Sequence, residues 1–172
     1  MDIRPGSLDD LETIIGMFDE AVAWLVEQNR PDQWGSEPFS RSDATVDFVR
    51  KLVDEGDVFI AELDGEAVGA LIVNSSPMPY VPPLDEPELY VRLLIASRRR
   101  KGQRIGSWLI DFARAEAKRR GIGLLRVDCY ASEDEALVRY YEGQGFTRSE
   151  RIEVRPGVSV QVFEQRIQAE SR

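Results

Sequence analysis

"LLIASRRRKGQRIGSWLIDFARAEAKRRGIGLLRVDC", residues 93–129, decides the reading of this chain. "LLIA" closes a strand over "ELYVRLLIA", residues 88–96, and its near-continuous "LLI" predicts burial on both faces. Residues 104–119 then carry Ile105, Leu109, Phe112 and Ala113 at helical spacing, and Gly121 and Gly123 end that helix. "LLRVDCY", residues 124–130, is the next strand. Strand, basic glycine-containing loop, helix and strand in this order predict an α/β layered sheet.

The flanks extend the pattern. Residues 2–5 read as a short edge strand, and Ser7 with Asp10 resembles a capping box. Leu8, Leu11, Ile15, Phe18, Val22 and Leu25 then mark one stripe of a helix of about six turns, stopped by Asn29-Arg30-Pro31. "PDQWGSEPF" is a loop, and residues 42–54 form a second helix with Val46, Val49 and Leu52/Val53 on its apolar face. "DVFIAELDGEAVGALIVNSS" is a hairpin around Asp64-Gly65. "SPMPYVPPLDEP" carries five prolines, a loop long enough to be functional. Residues 134–143 are a short helix, Gly145 a break, and two last strands flank a type II turn at Arg155-Pro156-Gly157. The order is β-α-α-β-β-β-α-β-α-β-β. With no internal repeat and no second composition regime, residues 1–172 read as a single domain, and the final hairpin argues against an all-parallel sheet.

Composition narrows the function classes. Apolar residues make up 42% and charged residues 31%, ordinary for a globular protein and not for a disordered one. The net charge of −9 opposes general affinity for nucleic acid or anionic lipid and favours a cationic small partner. The lone Cys129 fits a reducing cytoplasm. The N-terminus lacks a secretory layout, and no apolar run approaches a membrane span, so a cytoplasmic protein is expected. Histidine is absent, which removes every Ser-His-Asp or Cys-His arrangement and most zinc sites; no metal is expected. Acid–base chemistry falls to Asp, Glu, Tyr, Lys, Cys or water.

The basic junction is where an anion would bind. A helix start exposes unpaired N–H groups and the positive end of the helix dipole, and glycine lets backbone approach a phosphate closely. Gly102 and Gly106 supply that room, Ser107 a hydroxyl, and Arg98, Arg99, Arg100, Lys101 and Arg104 the charge. A solvated basic loop would carry the same run. No G-x-x-x-x-G-K-[ST] and no G-x-G-x-x-G is present, which excludes a Walker loop and a dinucleotide fingerprint.

The quoted stretch, followed by "LVRYYEGQGF" at 137–146, resembles the GNAT superfamily of acyl-CoA-dependent N-acyltransferases, of a small bacterial type; "WLVEQNRPDQW" at 24–34 points the same way. The superfamily's loop R/Q-x-x-G-x-G/A falls on Lys101, Gly102, Gln103, Arg104, Ile105 and Gly106, and its Y-E-x-x-G-F falls on Tyr141–Phe146. Lys101 departs from the usual Arg or Gln, and Arg104 occupies the first glycine position. The resemblance implies a mixed, mostly antiparallel central sheet with helices on both faces. It also implies transfer of an acetyl group from acetyl-CoA, as cosubstrate, to a primary amine by direct attack. Backbone groups of Leu93, Leu94 and Ile95 would take the thioester and pantetheine arm. Arg100 to Ser107, Ile105 included, would take the phosphates, with Arg98 to Arg100 reaching toward the 3′-phosphate.

Tyr141 falls on the family's general-acid position; a tyrosine stays protonated at neutral pH and can donate to a thiolate. Asp134 stands where the family often has a cofactor-contacting Asn, and as an acid it suits amide contacts or a helix cap. Glu88, Asp85, Glu86 and Asp128, or a water they activate, are the candidates for the base. Glu88 begins the central strand, near where the superfamily often places a carboxylate. Cys129 reads as a small core residue. Trp24, Trp34, Phe39 and Tyr80 are candidates to line the acceptor pocket. The expected partner is a small-molecule amine or accessible amino group, cationic on arrival, with no nucleic acid, no membrane and a possible homodimer through the final hairpin. The alternative is a catalytically silent acyl-CoA-binding sensor, which would keep residues 93–107 and have no use for Tyr141.

Overall fold

In the computed structural model, which describes residues 1–168, Ser7 and Asp10 close the expected capping box, with Asp10 accepting the Ser7 N–H at 2.9 Å. The box heads a single 3-10 turn at Leu8–Asp10, and helix α1 (Leu11–Glu27) begins only after it. That tighter turn throws Leu8 off the apolar stripe and leaves it exposed, whereas Ile15, Phe18, Val22 and Leu25 are buried as expected. Asn29 ends the helical run in a left-handed conformation, φ 55°. Helix α2 (Asp43–Glu55) is capped by Ser42, whose hydroxyl accepts the Thr45 N–H.

Seven strands follow the predicted order: β1 (Asp2–Pro5), β2 (Asp57–Leu63), β3 (Glu66–Asn74), β4 (Leu89–Ala96), β5 (Leu124–Tyr130), β6 (Thr147–Arg155) and β7 (Val158–Arg166). Between them lie α3 (Ile105–Arg119) and α4 (Ala136–Gly143). The sheet order is β1-β2-β3-β4-β5-β7-β6. β4 with β5 is parallel, while β1–β2, β5–β7 and β6–β7 are antiparallel. The architecture is thus α/β with a mixed, mostly antiparallel sheet. The β2–β3 turn carries positive φ at Asp64 and Gly65, 53° and 76°, the requirement of a type I′ hairpin. Among the described residues, no helix is long and apolar enough to cross a membrane.

The chain groups into two compact units, Met1–Ile72 with Leu93–Leu109, and Val73–Arg92 with the described residues from Ile110 on. In the first, Phe18 stacks on Phe39 with ring centres 4.7 Å apart and takes Trp34 edge-on at 5.2 Å. Phe39 is therefore buried packing, and Trp34 belongs to the same cluster. Gly69 of β3 lets α3 approach: a Cβ there would stand 2.8 Å from Ile105 Cγ2, 2.9 Å from Leu109 Cδ1 and 3.2 Å from the Ile95 carbonyl oxygen. In the second unit, β5 and β7 pair from Leu124↔Arg166 to Tyr130↔Val160, and Phe163 packs against Tyr141 and Phe146. β6 is the exposed last strand of the order, and its Arg148 and Arg151 pair with Glu135. Such charges discourage edge-to-edge pairing.

β4 departs from expectation. Continuous burial covers Leu89, Tyr90 and Val91, not "LLI": Leu93 and Ile95 are buried while Leu94 and Ala96 are half-exposed. An apolar side chain is compatible with an open or a closed face, so composition could not locate the change.

The Gly69 approach is testable. Gly69→Ala forces the first turn of α3 away from the stiff, β-branched contact at Ile105, at a cost of about 1–3 kcal/mol. Thermal denaturation should show a lowered melting temperature; an unchanged one would mean that α3 yields freely.

Candidate active site

The basic junction is built on α1 as much as on its own charge. After β4, Ser97 caps a 3-10 turn at Arg98–Arg100. Glu20 of α1 receives three donors from this turn: Ser97 Oγ at 3.0 Å, the Arg98 N–H at 3.0 Å and Arg99 Nε at 2.9 Å. The Arg98 guanidinium lies 3.8 Å over the Trp24 ring, a cation–π contact. Arg100 donates to Glu66 at 2.6 Å, and its charge holds the Glu66 carboxyl below the usual range. Three of the four consecutive basic residues thus have internal partners, and Trp24 is occupied as a platform for Arg98.

Lys101, Gly102, Gln103 and Arg104 are exposed, and they lead directly into α3. Gly102 takes φ 86°, and a Cβ on it would meet nothing. Arg104, at the position where the family has glycine, keeps a glycine-like left-handed backbone, φ 55°. For an L-residue this costs roughly 1–2 kcal/mol. The Arg104 carbonyl then accepts the Trp108 N–H at 3.0 Å, so α3 starts directly behind it. Ile105 is buried and anchors the turn, while Gly106 and Ser107 are half-exposed on the helix's first turn. Leu93 and Ile95 face the core; Leu94 does not. Two positive-φ residues leading into a helix start are a backbone of the kind that can bind an anion.

In the second unit Tyr141 is buried, packed edge-on to Phe146 at 5.9 Å and tilted on Phe163 at 5.5 Å. Burial, followed by Cys129, Tyr140 and Asp128, pushes its hydroxyl above the ordinary tyrosine range, so it stays protonated throughout neutral pH. Tyr140 is half-turned to solvent, as adjacent helical residues require. Cys129 is buried and its thiol is pushed up to about 12 by burial and by Asp128, the behaviour of an inert core thiol. Asp134 acts locally: its Oδ1 accepts the Ala136 N–H at 3.1 Å and the Ser132 hydroxyl at 2.7 Å, so it caps α4 from two positions before the helix.

The carboxylate candidates separate clearly. Glu88 is not exposed: it is 4% accessible, and its Oε2 accepts from buried Arg126 at 2.9 Å. Its Oε1 is buried with no partner among the described residues. A carboxylate neutralised by a guanidinium in this way is poorly placed to act as a base. Glu86 is likewise engaged, by Arg166 at 2.7 Å.

Asp128 is different. Tyr80 Oη donates to its Oδ1 at 2.9 Å, and Tyr90 Oη donates to its Oδ2. Burial raises its carboxyl above the usual range, while the hydrogen bonds from Tyr90 and Tyr80 and the charge of Arg126 pull it partly back. Tyr80 comes from the proline-rich loop, which Arg92 ties to β4 by donating to the carbonyls of Ser76 and Pro77 at 3.1 and 2.9 Å. Neither Tyr90 nor Glu20 carries a sequence signal: both partners lie tens of residues away, and each residue type is ordinary on its element.

Comparisons with known proteins bear on the family and the fold. The sequence matches the model of the acetyltransferase (GNAT) family over residues 19–146. It is similar to a Bacillus subtilis (strain 168) protein named Uncharacterized N-acetyltransferase YesJ, 24% identical over 147 residues, covering 83% of this chain and 79% of the relative. The fold is similar to that of a GNAT-family acetyltransferase from Listeria monocytogenes 4b F2365, with TM-score 0.73 at 20% identity over 96% of this chain and 94% of the other. It also resembles yncA from Salmonella typhimurium, solved with its cofactor acetyl-CoA, with TM-score 0.64 at 14% identity over 100% and 96% of the two chains. With the family's model matched across most of its length, the chain belongs to the GNAT acetyltransferase family.

Proposed function

We propose that this chain transfers an acetyl group from acetyl-CoA to a primary amine by direct attack, without a covalent enzyme intermediate. The observation that carries the reading is the backbone path from Lys101 to Ser107, with left-handed Gly102 and Arg104 delivering the start of α3. That path fits a pyrophosphate, and the Salmonella neighbour carries acetyl-CoA on the same fold. Acetyl-CoA supplies the activated thioester. Backbone groups of Leu93–Ile95 position the acyl arm, and a backbone N–H there meets the developing oxyanion. Lys101 and the N–H groups of the first turn of α3 hold the phosphates. Tyr141 gives its proton to the departing thiolate, which its firmly protonated state suits. The acceptor arrives as a cationic amine, drawn by a protein of net charge −9.

Thermal stabilisation by CoA and acetyl-CoA, followed by thiol release with a panel of amines, tests the reading. Stabilisation with no thiol release from any amine would favour a sensor. No stabilisation at millimolar cofactor would sink both.

Tyr141→Phe keeps the ring that packs on Phe146 and Phe163 but removes the acid. It should lower kcat by about 10²-fold or more while leaving the CoA-induced stabilisation unchanged; an unchanged kcat would exclude the role.

Arg104→Gly removes an exposed side chain and relieves a left-handed L-residue, against the greater freedom glycine adds to the unfolded chain. The expected result is a melting temperature near the original and CoA affinity retained within about threefold, because backbone N–H groups make the site. A tenfold loss of affinity would instead assign the guanidinium a phosphate contact.

A further inference from the structure

We propose that Asp128 is the proton acceptor for the attacking amine, and that Tyr80 is the side chain the incoming ammonium replaces on Asp128 Oδ1. The inference rests on the acetyltransferase reading and assigns the base that reading leaves open.

Geometry carries it. The parallel ladder of β4 and β5 runs Leu89↔Leu125, Tyr90↔Arg126 and Val91↔Val127, and Asp128 is the next residue of β5 beyond its end. Strand alternation puts Arg126 and Asp128 on one face with Tyr90, while Cys129, with Phe163 and Tyr141, lies on the other. The base candidate therefore lies on one face of β5, and the acid candidate, from α4, on the side of the other. Both Asp128 oxygens are held by tyrosine hydroxyls, and the two tyrosines are unequal. Tyr90 is fully buried on β4, whereas Tyr80 is 37% exposed on the proline-rich loop. A cation reaching the carboxylate would displace the exposed hydroxyl and keep the buried one.

The cluster also suits an ammonium chemically. The Asp128 carboxylate is bonded by two hydroxyls and has no ion-pair partner among the described residues, unlike Glu88, which is paired with Arg126. The two phenol rings beside it offer further attraction to a cation.

The proton balance is simple. An ammonium loses two protons on becoming an amide. The first breaks its N–H bond and forms an O–H bond on Asp128 Oδ1, from which it passes to solvent when product leaves. The second replaces the proton that Tyr141 gives to sulfur. Asp128 must be ionised to begin, so kcat/KM rises with pH through its titration. The charged and titratable groups around it are Arg126 on β5, Tyr90 on β4, Tyr80 on the loop, Cys129 and Tyr141 on the opposite face, and Glu164 of β7, opposite Arg126 in register. Glu88 and Glu150 act through Arg126. The Tyr80 hydrogen bond stabilises the carboxylate, so removing it must move the acid limb to higher pH.

The test uses the full chain with acetyl-CoA and four probe amines: butylamine, putrescine, phenethylamine and a dipeptide with a free amino terminus. Thiol release gives the pH dependence of kcat/KM, and tyrosine ultraviolet difference absorption on adding amine alone reports displacement of Tyr80. Asp128→Asn, which retains an oxygen for the tyrosine donors, should lower kcat/KM at least 10²-fold and abolish the acid limb, with CoA stabilisation intact. Tyr80→Phe should lose the difference spectrum and shift the limb upward.

An Asp128→Asn enzyme within threefold of the original, with the same acid limb, overturns the assignment. So does a Tyr80→Phe limb that does not move, or a chain stabilised by acetyl-CoA in which no probe amine gives turnover or a difference spectrum. Failure of acetyl-CoA to stabilise the chain would instead remove the underlying acetyltransferase reading, and the amine difference spectrum would still decide whether the ammonium site exists.

Discussion

The parallel pairing of Leu89–Val91 with Leu125–Val127 is the constraint on which the rest depends. Two parallel strands cannot be joined by a tight turn; the chain must cross over, and a helix is the usual means. That requirement places a strand end, a loop and a helix start in immediate succession at residues 96–105. It also makes the helix start the natural binder of an anion. The junction proposed to take phosphate is therefore not an added feature, because a strand end, loop and helix start follow from closing one parallel ladder within a sheet whose other characterised pairings are antiparallel. The close approach of α3 to β3 at Gly69 follows from the same crossover.

The positive charge at this junction has two tasks. Arg98, Arg99 and Arg100 are drawn into contacts with Trp24, Glu20 and Glu66, and these fix the turn that leads to the cradle. Exposed ion pairs contribute little to stability individually, about 0–1 kcal/mol. The shared use of Glu20, with a hydroxyl and a backbone N–H added to a guanidinium, makes that residue an organiser of backbone and not simply a counter-ion. Charge left for a ligand comes from Lys101 and Arg104 and from the helix start itself. An acidic protein can thus carry a four-residue basic run without presenting a general polyanion surface.

On β5, period-two alternation separates two environments by a single residue. Cys129 lies on the side of the aromatic cluster of Tyr141, Phe146 and Phe163, where burial raises the Cys129 thiol and the Tyr141 hydroxyl. Asp128 faces Tyr80, Tyr90 and Arg126, where hydroxyl donors and a cation temper the same burial. A one-residue change of register would exchange these environments.

The elements of this fold were legible in the sequence because their signals are local. Asp64-Gly65 needs two positive φ angles that few dipeptides supply, Ser7 and Asp10 cap each other across three residues, and apolar periodicity marks α1, α2 and α3. The strand, glycine-containing loop and helix start at residues 96–105 were legible too, since they are consecutive in the sequence. Leu8 was misplaced because a single 3-10 turn shifts the phase of a helix without changing its composition. Tyr141 was singled out through its spacing to Gly145-Phe146, a local feature just beyond α4. Glu88, by contrast, was read as a candidate base at the start of the central strand. Only the tertiary structure pairs it with Arg126, joins Glu20 to Arg98 across 78 residues and brings Tyr80 to Asp128 across 48. Those contacts depend on strand register and on where a loop returns, and a buried carboxylate's partners decide whether it is neutralised or left to accept a proton. The sequence by itself determined the strand, basic glycine-containing loop and helix start in their order. Which acid could serve as a base was decided by folding, because desolvation and pairing are properties of the assembled sheet.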